Sequence, residues 1–390
     1  MAWRASSVVD QRKKFVEQYV SGDWSMAELC RIHGISRQSG YKWLGRSEQE
    51  GEAGLADRSR AAHSHPNQTT RRVEQQIIAL RHQHPSWGPR KLQFVLQKKK
   101  PKIKWPATST IGALLKREGL AVGRKHRRKT PLYTQPLQHA GRANDVWCAD
   151  FKGWFLTQDR DRIDPLTITD AASRYLLRCQ AVEKTNTEHV LAIFEAAFRQ
   201  YGLPCGIRTD NGPPFASRAI AGLSPLALYW MKLGIVVERI EPGHPEQNGR
   251  HERMHRTLKA ETASPAAANR RAQQQAFDRF QQIYNHHRPH EAIAMCTPAS
   301  CYATSPRPHP GKVPVPEYDS DWQVRKVRSC GRFGWKGNGI FISETLCDEP
   351  IGLQLVEEDM WLVHFASFPI ALFDSYEKLI RPLPEEDEIG

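Results

Sequence analysis

Gly206-Ile207-Arg208-Thr209-Asp210-Asn211-Gly212 reads as a short apolar strand that runs directly into an acidic turn. Working back from it, residues 187–200 form a strong helix, with Val190, Ile193, Phe194 and Phe198 on one side and Gly202 as its stop. Before that helix, residues 146–151, 165–170 and 175–179 have strand character, and the first two end in or at an aspartate. Working forward, residues 216–233 read as mixed but helical, 235–240 as a strand, and 248–261 and 272–286 as helices. Strands first, then strands alternating with helices, predict an α/β domain with a mixed sheet over residues 141–303.

Three acidic residues stand out in this domain. Asp150 lies in a strand within Trp147-Cys148-Ala149-Asp150-Phe151-Lys152, and Asp210 lies where a strand ends. Glu252 lies in Gly243-His244-Pro245-Glu246-Gln247-Asn248-Gly249-Arg250-His251-Glu252-Arg253, which runs from a turn into a helix. Carboxylates at strand ends and on an adjoining helix suit hard divalent cations, which take oxygen ligands. Two such ions, roughly 3.5–4 Å apart, clamp the attacking and leaving oxygens of a displacement at phosphorus. Alone, any one of these acids is more often a turn or cap residue. Asp170 is a rival, but Thr169-Asp170-Ala171-Ala172-Ser173-Arg174-Tyr175 fits a turn between paired strands. Arg256 and Lys259 sit four and seven residues past Glu252, on the same helical face, where they suit phosphate or simply form a solvated pair.

Outward to the amino terminus, residues 1–46 read as three short helices. Ser25-Met26-Ala27-Glu28 is a capping-box pattern, His33-Gly34-Ile35 a tight turn, and Ser36 a cap for a third helix. Two helices about a glycine-containing turn predict a helix-turn-helix, with Arg37, Gln38, Ser39 and Lys42 facing DNA and Trp43 in the core. A plain three-helix bundle with a solvated polar face is the alternative. Residues 47–68 read as a linker, and 69–140 as a second helical module with basic flanks. Those flanks include Arg124, Lys125, Arg127, Arg128 and Lys129, suited to phosphate contacts. Toward the carboxy terminus, the prolines of residues 304–320 predict a semi-rigid linker. Residues 321–381 predict short strands, a hairpin at Lys336-Gly337-Asn338-Gly339 and a small β-barrel, and 382–390 an acidic tail.

Charge distribution points to a polyanion. Residues 51–140 hold 19 Lys and Arg against 4 acidic residues, whereas residues 141–390 hold 29 against 32. Such a local excess repels itself unless a polyanion relieves it, and nucleic acid fits better than an anionic membrane surface. The eight cysteines include no C-x-x-C pair, so neither a zinc site nor a disulfide framework is expected. No apolar run reaches membrane-spanning length, and the expected location is the cytoplasm.

Taken together, these motifs resemble the catalytic core of bacterial insertion-sequence DDE transposases, which is of retroviral-integrase type with a ribonuclease H-like fold. Thr209-Asp210-Asn211-Gly212, Gly243 through Lys259, and Tyr284-Asn285-His286-His287-Arg288-Pro289-His290-Glu291 followed by Thr297-Pro298-Ala299 carry the resemblance. It implies that Asp150, Asp210 and a glutamate bind two Mg²⁺ (or Mn²⁺). It also implies cleavage at the ends of a mobile element, transfer of the freed 3′-hydroxyl to target DNA, and a homo-oligomer on double-stranded DNA at the nucleoid. An inactive DNA-binding regulator and a nuclease without joining activity are the competing readings. The spacing usual in this superfamily, 35 intervening residues, falls at Glu246, whereas Glu252 leaves 41. Glu252 is preferred because Gly249-x-x-Glu252 with Lys259 matches the family helix, and a helix fixes a ligand's direction better than the Pro245 turn does.

Overall fold

The computed structural model describes residues 7–60, 68–121, 140–217, 219–240 and 249–383. They divide into two compact units, residues 1–70 and 71–390. In the first, α1 (Val8–Val20), α2 (Met26–Ile32) and α3 (Arg37–Glu50) close on Phe15, Met26, Leu29 and Cys30. Reciprocal capping boxes, Ser7 with Asp10 and Ser25 with Glu28, start the first two helices, and Ser36 caps the third. Gly40 lies buried inside α3, where an added Cβ would stand 2.7 Å from Met26 Sδ and 2.8 Å from Cys30 Sγ. That glycine lets α2 and α3 approach closely. The linker expected from residue 47 starts later, because α3 continues to Glu50. A 3₁₀ turn, Gly51–Leu55, then returns Leu55 to the core, and Arg12 holds the Leu55 carbonyl at 2.8 Å.

The second unit opens with α4 (Arg71–Gln83), α5 (Pro89–Lys99) and α6 (Thr108–Arg117), packed around Ile77, Leu80, Trp87, Leu92, Ile111 and Leu114. Its sheet contains β1 (Val146–Phe151), β2 (Phe155–Leu156), β3 (Arg162–Asp170), β4 (Leu176–Val182), β5 (Gly206–Thr209) and β6 (Val236–Arg239). The order runs β4-β3-β1-β5-β6, with β2 paired to the start of β3. The β1–β3 and β3–β4 pairs are antiparallel, and β1–β5 and β5–β6 are parallel. This is the mixed sheet expected of the α/β core. α7 (Thr187–Tyr201) and α8 (Pro225–Lys232) cover one face through Phe194, Phe198, Leu226 and Trp230. α9 (Gly249–Thr262) and α10 (Arg270–Gln282) cover the other through Met254, Leu258, Phe277 and Phe280. The helix expected over 216–233 is shorter than its apolar content implies, because Ser224 caps it and Pro225 occupies its first turn.

The carboxy-terminal region departs from the expected barrel. β7 (Gln323–Lys326), β10 (Pro350–Glu357), β11 (Met360–Phe365), β12 (Phe368–Asp374) and β13 (Leu379–Arg381) form an antiparallel sheet in the order β13-β12-β11-β10-β7. Among the described residues, strands β8 (Arg332–Trp335) and β9 (Asn338–Phe341) pair only with each other. Lys336 and Gly337, at φ 44° and 83°, make the two-residue turn that the sequence signals. Closure requires the edge strands to pair, and among the described residues β7 and β13 end the sheet. The ribbon lies on the sheet face instead, with Phe333 and Trp335 edge-on to Phe373 at 5.3 and 5.2 Å. Leu228 and Met231 of α8 complete this second core. The proline-rich segment is tied down at its start, where Arg307 donates to the carbonyls of Pro204, Leu233 and Gly234 at 2.7–2.9 Å.

Candidate active site

Asp150 and Asp210 come together through strand pairing. Cys148 of β1 is in parallel register with Arg208 of β5. Asp150, still within β1, and Asp210, just past the end of β5, each lie two residues beyond that pair, at corresponding positions of the two neighbouring strands. Both side chains are half-buried. Burial pushes the Asp210 carboxyl above the ordinary carboxylate range, offset in part by the Gly212 N–H, which donates to Oδ1 at 3.3 Å.

The glutamate helix is fixed beside β1 by a polar device that sequence reasoning missed. His251 and His255 sit one turn apart on α9 and are both buried, 3% and 5% exposed, beneath a hydroxyl. Each Nε2 lies 2.6 Å from Thr167 Oγ1, and that hydroxyl lies 3.1 Å from the Asp150 carbonyl oxygen. A threonine hydroxyl donates once and accepts twice. Thr167 therefore donates to Asp150 O and accepts from both imidazoles, which assigns the proton of each ring to Nε2. Burial holds the two rings neutral, pushing His251 down to about 3 and His255 to about 2. His255 Nδ1 stands 3.8 Å from Asp150 Oδ2. The signal was present in the sequence: His251, Met254, His255 and Leu258 recur at helical spacing, so the histidines belong to the buried face.

With that face packed, Glu252, Arg256 and Lys259 are all exposed on α9, Glu252 in its first turn. Glu246 lies outside the described residues, as do Arg124, Lys125, Arg127, Arg128, Lys129 and the acidic tail. Among the described residues no group of three or more His, Cys, Asp or Glu side chains is assembled into a metal site. The two aspartates hold corresponding positions, and Glu252 is not drawn into a ligand cluster with them. Asp170 is committed elsewhere. It is buried, accepting from the Asn144 N–H at 2.7 Å and from the Ser173 N–H and hydroxyl at 2.7 and 2.5 Å.

The motif after α10 supports the helix from behind. Asn285 exchanges hydrogen bonds with the backbone of Leu176 at 2.8 and 2.9 Å. Arg288 donates to Glu261, Ser86 and Thr257 at 3.1, 3.2 and 3.4 Å, joining α9 to the α4–α6 module. In the amino-terminal unit Arg37, Gln38 and Lys42 are exposed along α3, while Ser39 is half-buried and bonded to Ser36. Trp43 is half-buried against the core, with the Arg12 guanidinium 3.7 Å from its ring.

Family models match several parts of this chain. Integrase core domain models match residues 140–245 and 233–298. A helix-turn-helix domain model matches residues 11–63, and a homeodomain-like domain model residues 39–115. The insertion element IS476 uncharacterized 39.2 kDa protein of Xanthomonas euvesicatoria is 28% identical over 63% of this chain and 69% of its own length. The insertion element IS407 uncharacterized 31.7 kDa protein of Burkholderia multivorans is 26% identical over 57% and 78%. Among solved structures, the HTLV-2 integrase catalytic core domain in complex with magnesium is 16% identical, with a TM-score of 0.34, over 43% of this chain and 100% of that one. That last likeness is too slight to bear on the site. The family models and the insertion-element relatives support the resemblance read from the motifs.

Proposed function

We propose that this chain cleaves the ends of a mobile DNA element and joins them to target DNA, with integrase-type chemistry. The observation that carries the proposal is the pair of aspartates at corresponding positions of adjacent parallel strands, beside a helix anchored by the Thr167–histidine device. Paired carboxylates of this kind are hard oxygen donors that suit Mg²⁺ or Mn²⁺. Burial disfavours the ionised form of Asp210, and a nearby cation would restore it. Asp150 and Asp210 would hold the ions, with Glu252 contributing from α9. A bound divalent ion supplies polarisation of a phosphoryl oxygen and a more acidic water.

The chain's own residues do the rest. Strand pairing and the Thr167 hydroxyl fix the backbone of Asp150. Arg256 and Lys259, exposed on the same helix as Glu252, neutralise phosphate beside it. Arg37, Gln38 and Lys42 on α3 meet base edges and backbone in a major groove, and the basic segment at 124–129 adds phosphate contacts. Joining two element ends calls for copies of the chain assembled on double-stranded DNA. The test is the purified chain with its element's own end DNA and Mg²⁺, scored for cleaved and joined products. Asp150→Ala and Asp210→Ala should each abolish both products while a gel shift persists. Binding lost in parallel with activity would refute the metal role, and cleavage without a joined product would leave a nuclease.

A further inference from the structure

Two residues beyond Asp150 the chain opens a pocket whose lining, Lys259 apart, has no part in the proposed chemistry. Its volume is about 270 Å³, and Lys152, Trp154, Phe155, Pro165, Leu258 and Lys259 line it. The floor is apolar, since Leu258 is 1% exposed and Phe155 is half-buried. Trp154 stands at the edge with 59% of its surface exposed, which is unusual for the largest apolar side chain. Gly153, at φ 82°, turns the backbone between β1 and β2 to present it. The Lys152 N–H is anchored to the Pro165 carbonyl at 2.9 Å, and the Arg162 guanidinium lies 5.2 Å from the indole ring. An exposed aromatic, an apolar floor and a lysine on each of two flanking elements form the combination that binds single-stranded nucleic acid. The ring stacks on a base and the ammonium groups meet the phosphates on either side.

We infer that this pocket takes an unpaired nucleobase at a DNA end, stacked on Trp154, with the adjoining phosphates held by Lys152 and Lys259. The inference deepens the proposed function, because a base held there places its strand beside Asp150. A duplex terminus is the occupant that fits. The site is a pocket next to a candidate cleavage centre, too confined to track a long single strand.

The test uses the full chain in the presence of a chelator, so that binding is scored without cleavage. Two probes are compared: a short blunt duplex, and the same duplex with a single-stranded overhang carrying 2-aminopurine, in each polarity. Wild type should bind one overhang polarity about tenfold more tightly than the blunt duplex, the order of effect of one stacked base. The fluorescence of 2-aminopurine should be quenched on binding. Trp154→Ala should lose both the preference and the quenching while binding the blunt duplex as before, and Trp154→Phe should keep part of each. Equal affinity of wild type for blunt and overhanging DNA overturns the inference, as does a preference that survives in Trp154→Ala. The outcome is separable from the proposed function. An overhang preference without Mg²⁺-dependent joining defeats only the proposed chemistry, and joining without the preference defeats only the pocket.

Discussion

Thr167→Val tests the anchor of α9. Valine keeps the shape of threonine and deletes only the hydroxyl, which is fully buried and serves three groups. Two imidazole N–H donors are then left without an acceptor, each at about 1–3 kcal/mol. His251 has partial relief, since its Nδ1 faces Thr169 Oγ1 at 3.3 Å and its proton can move there. A total of about 3 kcal/mol follows, or about a 150-fold change in a local opening equilibrium at about 1.4 kcal/mol per decade. A chain of several domains does not unfold in one step, so native-state hydrogen exchange on the amides of α9 and β3 is the suitable assay. Protection there should fall by about two decades, while α1 to α3 stay unchanged. Thr167→Ser is the control: it keeps the hydroxyl and loses one methyl, costing about 1 kcal/mol. Equal losses in the two variants, or a change of less than about fivefold in Thr167→Val, would show that the hydroxyl is not the anchor.

The paired substitutions Glu252→Gln and Glu246→Gln decide the third carboxylate: the first should eliminate Mg²⁺-dependent strand transfer and the second leave most of it, and the reverse result would reassign the site. Gly40→Ala should destabilise the amino-terminal unit by about 1–3 kcal/mol, read as lower exchange protection in α2 and α3, because overpacking at Met26 and Cys30 outweighs the helix propensity gained; unchanged or higher protection would refute the close approach. His290 is pushed down to about 3, first by burial and then by Lys91, Arg288 and Arg174. Its folded value lies below the unfolded one of about 6.5, so the stability it contributes is present above pH ~6.5 and is lost as pH falls toward ~3. Wild type should therefore lose stability faster than His290→Gln on acidification, by up to about 1.4 kcal/mol per pH unit, in the native-state exchange protection of the α10 amides across that range; parallel slopes would count against it.

What the sequence by itself determined were features set by neighbouring residues. Ser25 and Ser36 announced helix starts because a cap needs only an oxygen three residues from the N–H it satisfies. The strands ending near Asp150 and Asp210 were legible because apolar runs broken by an acidic turn are local patterns, and Lys336-Gly337 named its own hairpin. The tertiary structure decided what depends on distant partners. Whether the last strands close into a barrel rests on edge pairing and on which face Phe333 and Trp335 cover, and neither is written in any one strand. α8 serves two cores at once, Trp230 in one and Met231 in the other, so its periodicity alone assigns it to neither. The correspondence of Asp150 with Asp210 follows from the register between two strands nearly sixty residues apart in the chain. The spacing of His251 and His255 with Met254 and Leu258 marks a buried face, but only the fold brings in Thr167, 84 and 88 positions earlier, whose single hydroxyl lets two imidazoles be buried neutral. A buried polar group is tolerable only with its partner present, and that partner comes from the fold.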